Sequence, residues 1–191
     1  MMQSVDAHTS VTISRIAAIV PALAQGKLRP LLSETSWTDI DQSPRMCRIL
    51  ASHIVSCLDL HQISDGVLTL LQHGTPRLQR AVNFAGAALC ASYLRRLIQK
   101  SDIEAIISDI GTQAHSFAMS YDRAPTGLID CKINTAIIRH IGLSAFASWR
   151  TRISKAEDRL IRLAFPEYDD AFALPPAAAD VFELAMGASD A

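Results

Sequence analysis

AVNFAGAALCASYLRRLIQK (residues 81–100), SDIEAIISDIG (101–111) and TQAHSFAMSY (112–121) form one continuous stretch, and its reading decides the fold. Ala81, Ala85, Gly86, Ala88, Ala91 and Ser92 let a neighbouring backbone approach closely, while Phe84, Leu89 and Leu94 supply bulk. This predicts a central helix from Arg77 to about Lys100, crossed at short distance by others. Ser101-Asp-Ile-Glu104 has the spacing of a capping box, a Ser oxygen for the third helical amide and a Glu reaching back. Ile103, Ile106, Ile107 and Ile110 follow at i, i+3, i+4, i+7, and Gly111 ends that helix. Ala114, Phe117, Ala118 and Tyr121 repeat the spacing on a short helix. The stretch holds no catalytic machinery.

The same periodicity extends outward. Ser10 is expected to cap a helix from Val11 to about Gln25, after a loose N-terminus at residues 1–10; Pro21 should kink it. Residues 27–43 read as irregular, with Trp37 as an anchor. Ser43-Pro44 opens a helix to about Leu60, with Met46, Ile49, Leu50, Ile54 and Leu58 as its buried stripe. A short helix at Val67–Gln72 ends at Gly74. Beyond a turn at Ala124-Pro125-Thr126-Gly127, residues 128–147 form an apolar helix that Gly142 ends or bends. An amphipathic segment begins at Trp149 and stops at Pro166. Residues 167–191 are an acidic segment carrying a short docking helix, Ala177–Met186, with Val181, Phe182 and Ala185 facing the core. The expected fold is therefore all-α, a single compact multi-helix domain over residues 11–166 with non-repetitive orthogonal or bundle packing.

Bulk properties agree. The 191 residues suit one domain with a sizeable core. Sparse Val and Thr with abundant Ala, Leu and Ile favour helix over strand. A net charge of −1 exerts no global pull on nucleic acid or membrane. No apolar run approaches the roughly 20 residues of a membrane span. The apolar run at Ile16–Val20 is short and interrupted by Pro21, so it reads as mature protein rather than a leader. Four widely spaced cysteines, Cys47, Cys57, Cys90 and Cys131, form no CxxC pair and read as ordinary thiols of a reducing compartment.

Candidate chemistry is sparse. His53, Cys57 and His61 fall at i, i+4, i+8, a row of possible zinc ligands, but a fourth ligand is missing and the row overlaps the expected buried stripe. No nucleophile elbow, Walker loop, dinucleotide fingerprint or HExxH is present. Neither a metal, a cofactor nor an enzyme activity is expected. Helix–Gly111–helix has the outline of a DNA-reading module, yet its second helix offers only Gln113, His115 and a terminal Arg123 beside Asp122, a poor footprint for nucleic acid. The remaining candidate is a basic face, Arg150, Arg152, Arg159 and Arg162 with Lys155, suited to an acidic partner surface. After Arg162 the chain has no Lys or Arg.

The run SYLRRLIQKSDIEAIISDIGTQAHSFAMSYD (92–122) resembles the YscK/HrpD/NolU-type (SctK family) proteins of bacterial type III secretion. WRTRISKAEDRLIRLAFPE (149–167) is similar to their C-terminal pattern, an Arg/Leu-rich helix running into a Phe-Pro stop. The likeness covers about residues 45–166 and rests on the order of patterns rather than a fixed signature. It implies a cytoplasmic, non-enzymatic adaptor of the secretion sorting platform, peripherally associated with the inner-membrane apparatus. Such an adaptor links the cytoplasmic domain of the inner-membrane ring protein to the C-ring-like pod protein, with no nucleic acid partner and no membrane insertion. A helical DNA-binding or regulatory module is the alternative.

Overall fold

In the computed structural model, the described residues are 3–23, 40, 42–122, 133–168 and 172–189. Among them the fold is all-α, as expected: nine α-helices, one 3-10 turn and no strand. The chain divides into two compact units, Met1–Thr75 with Ile153–Asp169, and Pro76–Arg152 with Asp170–Ala191.

The first unit begins with α1, Gln3–Leu23. This helix starts well before the expected Val11. Ser10 lies within it, its carbonyl accepting the Ser14 hydroxyl at 3.0 Å, rather than capping it. Ile16, Ile19, Val20 and Leu23 are buried. The second helix, α2, is Pro44–Leu58; Ser43 caps it through the Met46 amide, and Pro44 occupies the first turn, where its missing N–H costs nothing. The helix ends because Asp59 turns left-handed at φ 56°, ψ 45°, and the Leu60 amide donates back to the Val55 carbonyl at 2.9 Å.

The buried stripe of α2 differs from expectation. Cys47, Ala51 and Val55 face inward, while Met46 and Ile49 are 41% and 42% exposed. Both sets have helical spacing, so the helix carries two apolar stripes. The smaller side chains lie inward, and α1 packs against this helix. Small side chains permit the shorter interaxial distance and the closer packing that goes with it.

The third helix, α3, spans Asp65–Leu89 and is interrupted at Gly74, whose φ of 63° and ψ of −155° suit a residue without Cβ. Its first limb belongs to the first unit and buries Val67, Leu70 and Leu71. This break is where the sequence places it.

The second limb of α3 opens the second unit. It ends at Leu89 rather than near Lys100, and a single turn, α4 (Ala91–Leu94), follows. Next come α5 (Lys100–Ile110), α6 (Thr112–Ser120), α7 (Thr135–Arg150) and α9 (Ala177–Ala188). The expected close crossing is present. A Cβ on Gly86 would lie 2.0 Å from the Ile138 carbonyl oxygen, and one on Gly142 would lie 2.0 Å from the Val82 carbonyl oxygen. The α3 and α7 backbones thus touch through two reciprocal glycines. Gly142 neither ends nor bends α7; it makes room for Val82 instead.

Between α5 and α6, Gly111 takes φ 93° and donates to the Ile107 carbonyl at 2.9 Å, as a helix stop should. Ile106 and Ile110 are buried, and Phe117 stands between Phe84 and Tyr121, with ring centroids 5.4 and 6.1 Å away. Ser101 does not cap α5. Gln99 occupies the cap position without a side-chain bond, and Lys100 joins the first turn, 3.5 Å from Glu104. The C-terminal helix docks as its pattern demands. Val181, Phe182 and Ala185 are buried, and Phe182 meets Phe146 and Trp149 at 5.2 and 5.5 Å. Trp37, Cys131 and the turn at 124–127 lie outside the described residues.

Candidate interaction surface

The basic run that followed α7 in the sequence is distributed between two environments. Arg150 is the last residue of α7 and is turned inward, 7% exposed, with its guanidinium 5.7 Å from the centre of the Phe146 ring. Its long apolar stem and weakly hydrated head suit this position. Arg152 follows in the turn and forms an ion pair with Asp180 while also donating to the Pro176 carbonyl. The hydrogen bond to Asp180 raises the Arg152 pKa, and the reciprocal bond lowers that of Asp180. Of these two arginines, expected on an outward face, Arg150 is buried against Phe146, and Arg152 stays exposed but is tied to Asp180 and the Pro176 carbonyl at the start of α9.

Arg159 and Arg162 stand on α8, Lys155–Ala164, in the first unit. Here Leu160 and Ile161 are fully buried, whereas Lys155, Arg159 and Arg162 share the opposite face at i, i+4, i+7 and are exposed, with Leu163 40% exposed beside them. Arg162 donates to Asp158 at 2.9 Å, one turn earlier. The exposed part of the predicted face on α8 is therefore Lys155, Arg159 and Arg162, and Arg150 is removed from the face by burial.

What fixes this helix is Glu157. Ser154 is its N-cap, with φ −63° and ψ 153°. Its hydroxyl accepts from the Glu157 amide at 3.2 Å, and the Glu157 carboxylate accepts from the Ser154 amide at 3.0 Å, a complete capping box. The other carboxylate oxygen accepts from the Ser64 amide at 2.7 Å. Ser64 in turn provides the carbonyl for the first turn of α3, accepting from Leu68 at 3.0 Å. One buried carboxylate thus holds the N-terminal ends of two helices, where partial positive charge gathers. Burial raises its pKa, but the bonds from Ser64 and then Ser154 outweigh this and bring it below the ordinary carboxylate range. The Ser154-x-x-Glu157 spacing was visible in the sequence; its second partner, Ser64, was not.

The histidine and cysteine row is dispersed. His53 and Cys57 are exposed rather than core residues, and α2 ends at Leu58, before His61. His61 instead meets Asp59 at 3.1 Å, and its carbonyl accepts from Thr12 at 2.9 Å. Among the described residues no group of three or more His, Cys, Asp or Glu side chains could hold a metal ion. No helix among them is long and apolar enough to cross a membrane.

No family model, curated protein or solved structure matches the chain.

The outline of a helix–turn–helix is present in α5, Gly111 and α6. The outward side chains of α6 are Thr112, Gln113, Ser116 and Ser120, and its sequence TQAHSFAMS contains no Lys or Arg. A helix of this composition supplies hydrogen bonds but no phosphate-neutralising charge.

Proposed function

We propose that the chain is a non-enzymatic helical adaptor of a bacterial type III secretion sorting platform, working at the cytoplasmic side of the inner membrane. In this reading it joins the cytoplasmic domain of the inner-membrane ring protein to the C-ring-like pod protein. The observation that carries the reading is α8. The run 149–167, which resembles the family's C-terminal pattern, contains a strongly two-sided helix. Its inward side chains are Leu160, Ile161 and Glu157, the last held in a capping box with Ser154, and its outward side chains are Lys155, Arg159, Arg162 and Leu163. A rigid helix that offers several cations beside an exposed leucine suits docking on an acidic protein surface. The division into two compact units also suits a part that must meet two partners.

Pull-down of the full chain against the purified ring domain and the pod protein tests this reading. Binding to both is expected, weakened by salt. Binding to neither overturns it. The alternative, a DNA-binding or regulatory module, is favoured by the helix–glycine–helix outline of α5 and α6. It predicts salt-dependent retention on duplex DNA, which the adaptor reading does not.

A further inference from the structure

The outward face of α2 is both basic and apolar. The helix PRMCRILASHIVSCL contains no Asp or Glu. Arg45, Arg48, Ile49 and Ser52 stand at i, i+3, i+4, i+7, so they share one face, and all four are exposed. With Pro44 they line a surface groove of about 530 Å³. Met46 flanks Ile49, and the two apolar side chains are 41% and 42% exposed. Among the described residues neither arginine has an ion-pair or hydrogen-bond partner. Arginines near the start of a helix face an unfavourable dipole and return no stabilisation here. The burial of Cys47, Ala51 and Val55 on the opposite side orients α2 so that the arginines point outward.

We propose that this face of α2 docks an acidic amphipathic helix from a partner protein. Met46 and Ile49 receive its apolar residues, and Arg45 and Arg48 pair with carboxylates flanking that stripe. Charge complementarity specifies the occupant: a groove with two unneutralised guanidinium groups beside apolar side chains matches a helix with apolar residues at i, i+3, i+4 and Glu or Asp beside them. A nucleic acid backbone would use the arginines but leave Met46 and Ile49 against polar groups. Two cations also give only a weak phosphate footprint. The inference goes beyond the adaptor reading and holds whether or not the partners are secretion proteins.

The test titrates a fluorescent helical peptide of roughly 18 residues, with Leu along one face and Glu flanking it, into the full chain. Phosphatidylglycerol vesicles and a short DNA duplex are titrated in parallel. The peptide is expected to bind, and R45E/R48E to weaken it by about ten-fold while leaving the thermal melt in place. Ile49→Asn should weaken it too, which a purely electrostatic contact would not show. Absence of peptide binding, or equal binding by R45E/R48E, overturns the proposal. Preferential capture of vesicles or duplex that is lost in R45E/R48E overturns it as well, by assigning the face to phosphate. No ring or pod protein enters this titration, so its failure and that of the adaptor reading are separately visible.

Discussion

Arg150 and Arg152 at the end of α7, and Arg159 and Arg162 on α8, belong to one basic run in the sequence but do different things in the fold. The first pair is consumed by its own unit. Arg150 lies beneath the surface against Phe146, and Arg152 is tied to Asp180 and the Pro176 carbonyl. The second pair faces outward from a helix whose inward side is closed by Leu160, Ile161 and Glu157. Charge in sequence is thus no guide to charge at a surface. What separates the pairs is the register of each helix against its core, and in α8 that register is fixed by a carboxylate rather than by hydrophobic periodicity alone.

The contrast breaks most visibly at the buried end. Arg150→Ala removes a buried stem and a guanidinium over an aromatic ring, and should cost about 2–3 kcal/mol in urea unfolding. Wild-type stability in that variant would return Arg150 to the outward face. Next in size is Glu157→Gln, which keeps the shape but removes the charge shared by two helix ends. A loss of about 1–2 kcal/mol is expected at neutral pH. Because the folded-state pKa of Glu157 is lowered, its charge stabilises the fold above the ordinary carboxylate pKa, and this contribution disappears as pH falls through the lower folded value. The gap between wild type and Glu157→Gln should therefore close toward acid. A gap that widens there would contradict the assigned direction.

A smaller effect sharpens the role of the capping box. Ser154→Ala should cost about 1 kcal/mol, whereas Ser101→Ala should stay within about 0.5 kcal/mol, both read from unfolding midpoints. The two serines have the same Ser-x-x-Glu spacing. Only Ser154 has the extended backbone of a cap; at Ser101 the helix has already begun at Lys100, and Glu104 is occupied by Lys100 instead.

That pair also shows how far the sequence could be read. Helix starts and stops that depend on proline and glycine, at Pro44, Gly74 and Gly111, were legible because the backbone chemistry is local. The close crossing at Gly86 and the docking face of α9 were legible because small or apolar residues recur at helical spacing. The rotation of α2 was not legible, since Met46–Leu50–Ile54–Leu58 and Cys47–Ala51–Val55 both satisfy the period, and only the neighbour's approach distance selects between them. The inward turn of Arg150 and the reach of Glu157 to Ser64 depend on contacts distant in sequence. The surface on α8 was legible in part: its cations were found, but the buried Arg150 and the Asp180-paired Arg152 were grouped with them.

The outward pair gives the most direct test of the adaptor reading. Affinity of the purified chain for the ring domain and the pod protein is measured for wild type and R159E/R162E, alongside thermal melts. The adaptor reading predicts an unchanged melt within about 0.5 kcal/mol and at least about ten-fold weaker binding to one of the two partners. Equal binding by the variant to both, with the fold intact, would contradict it.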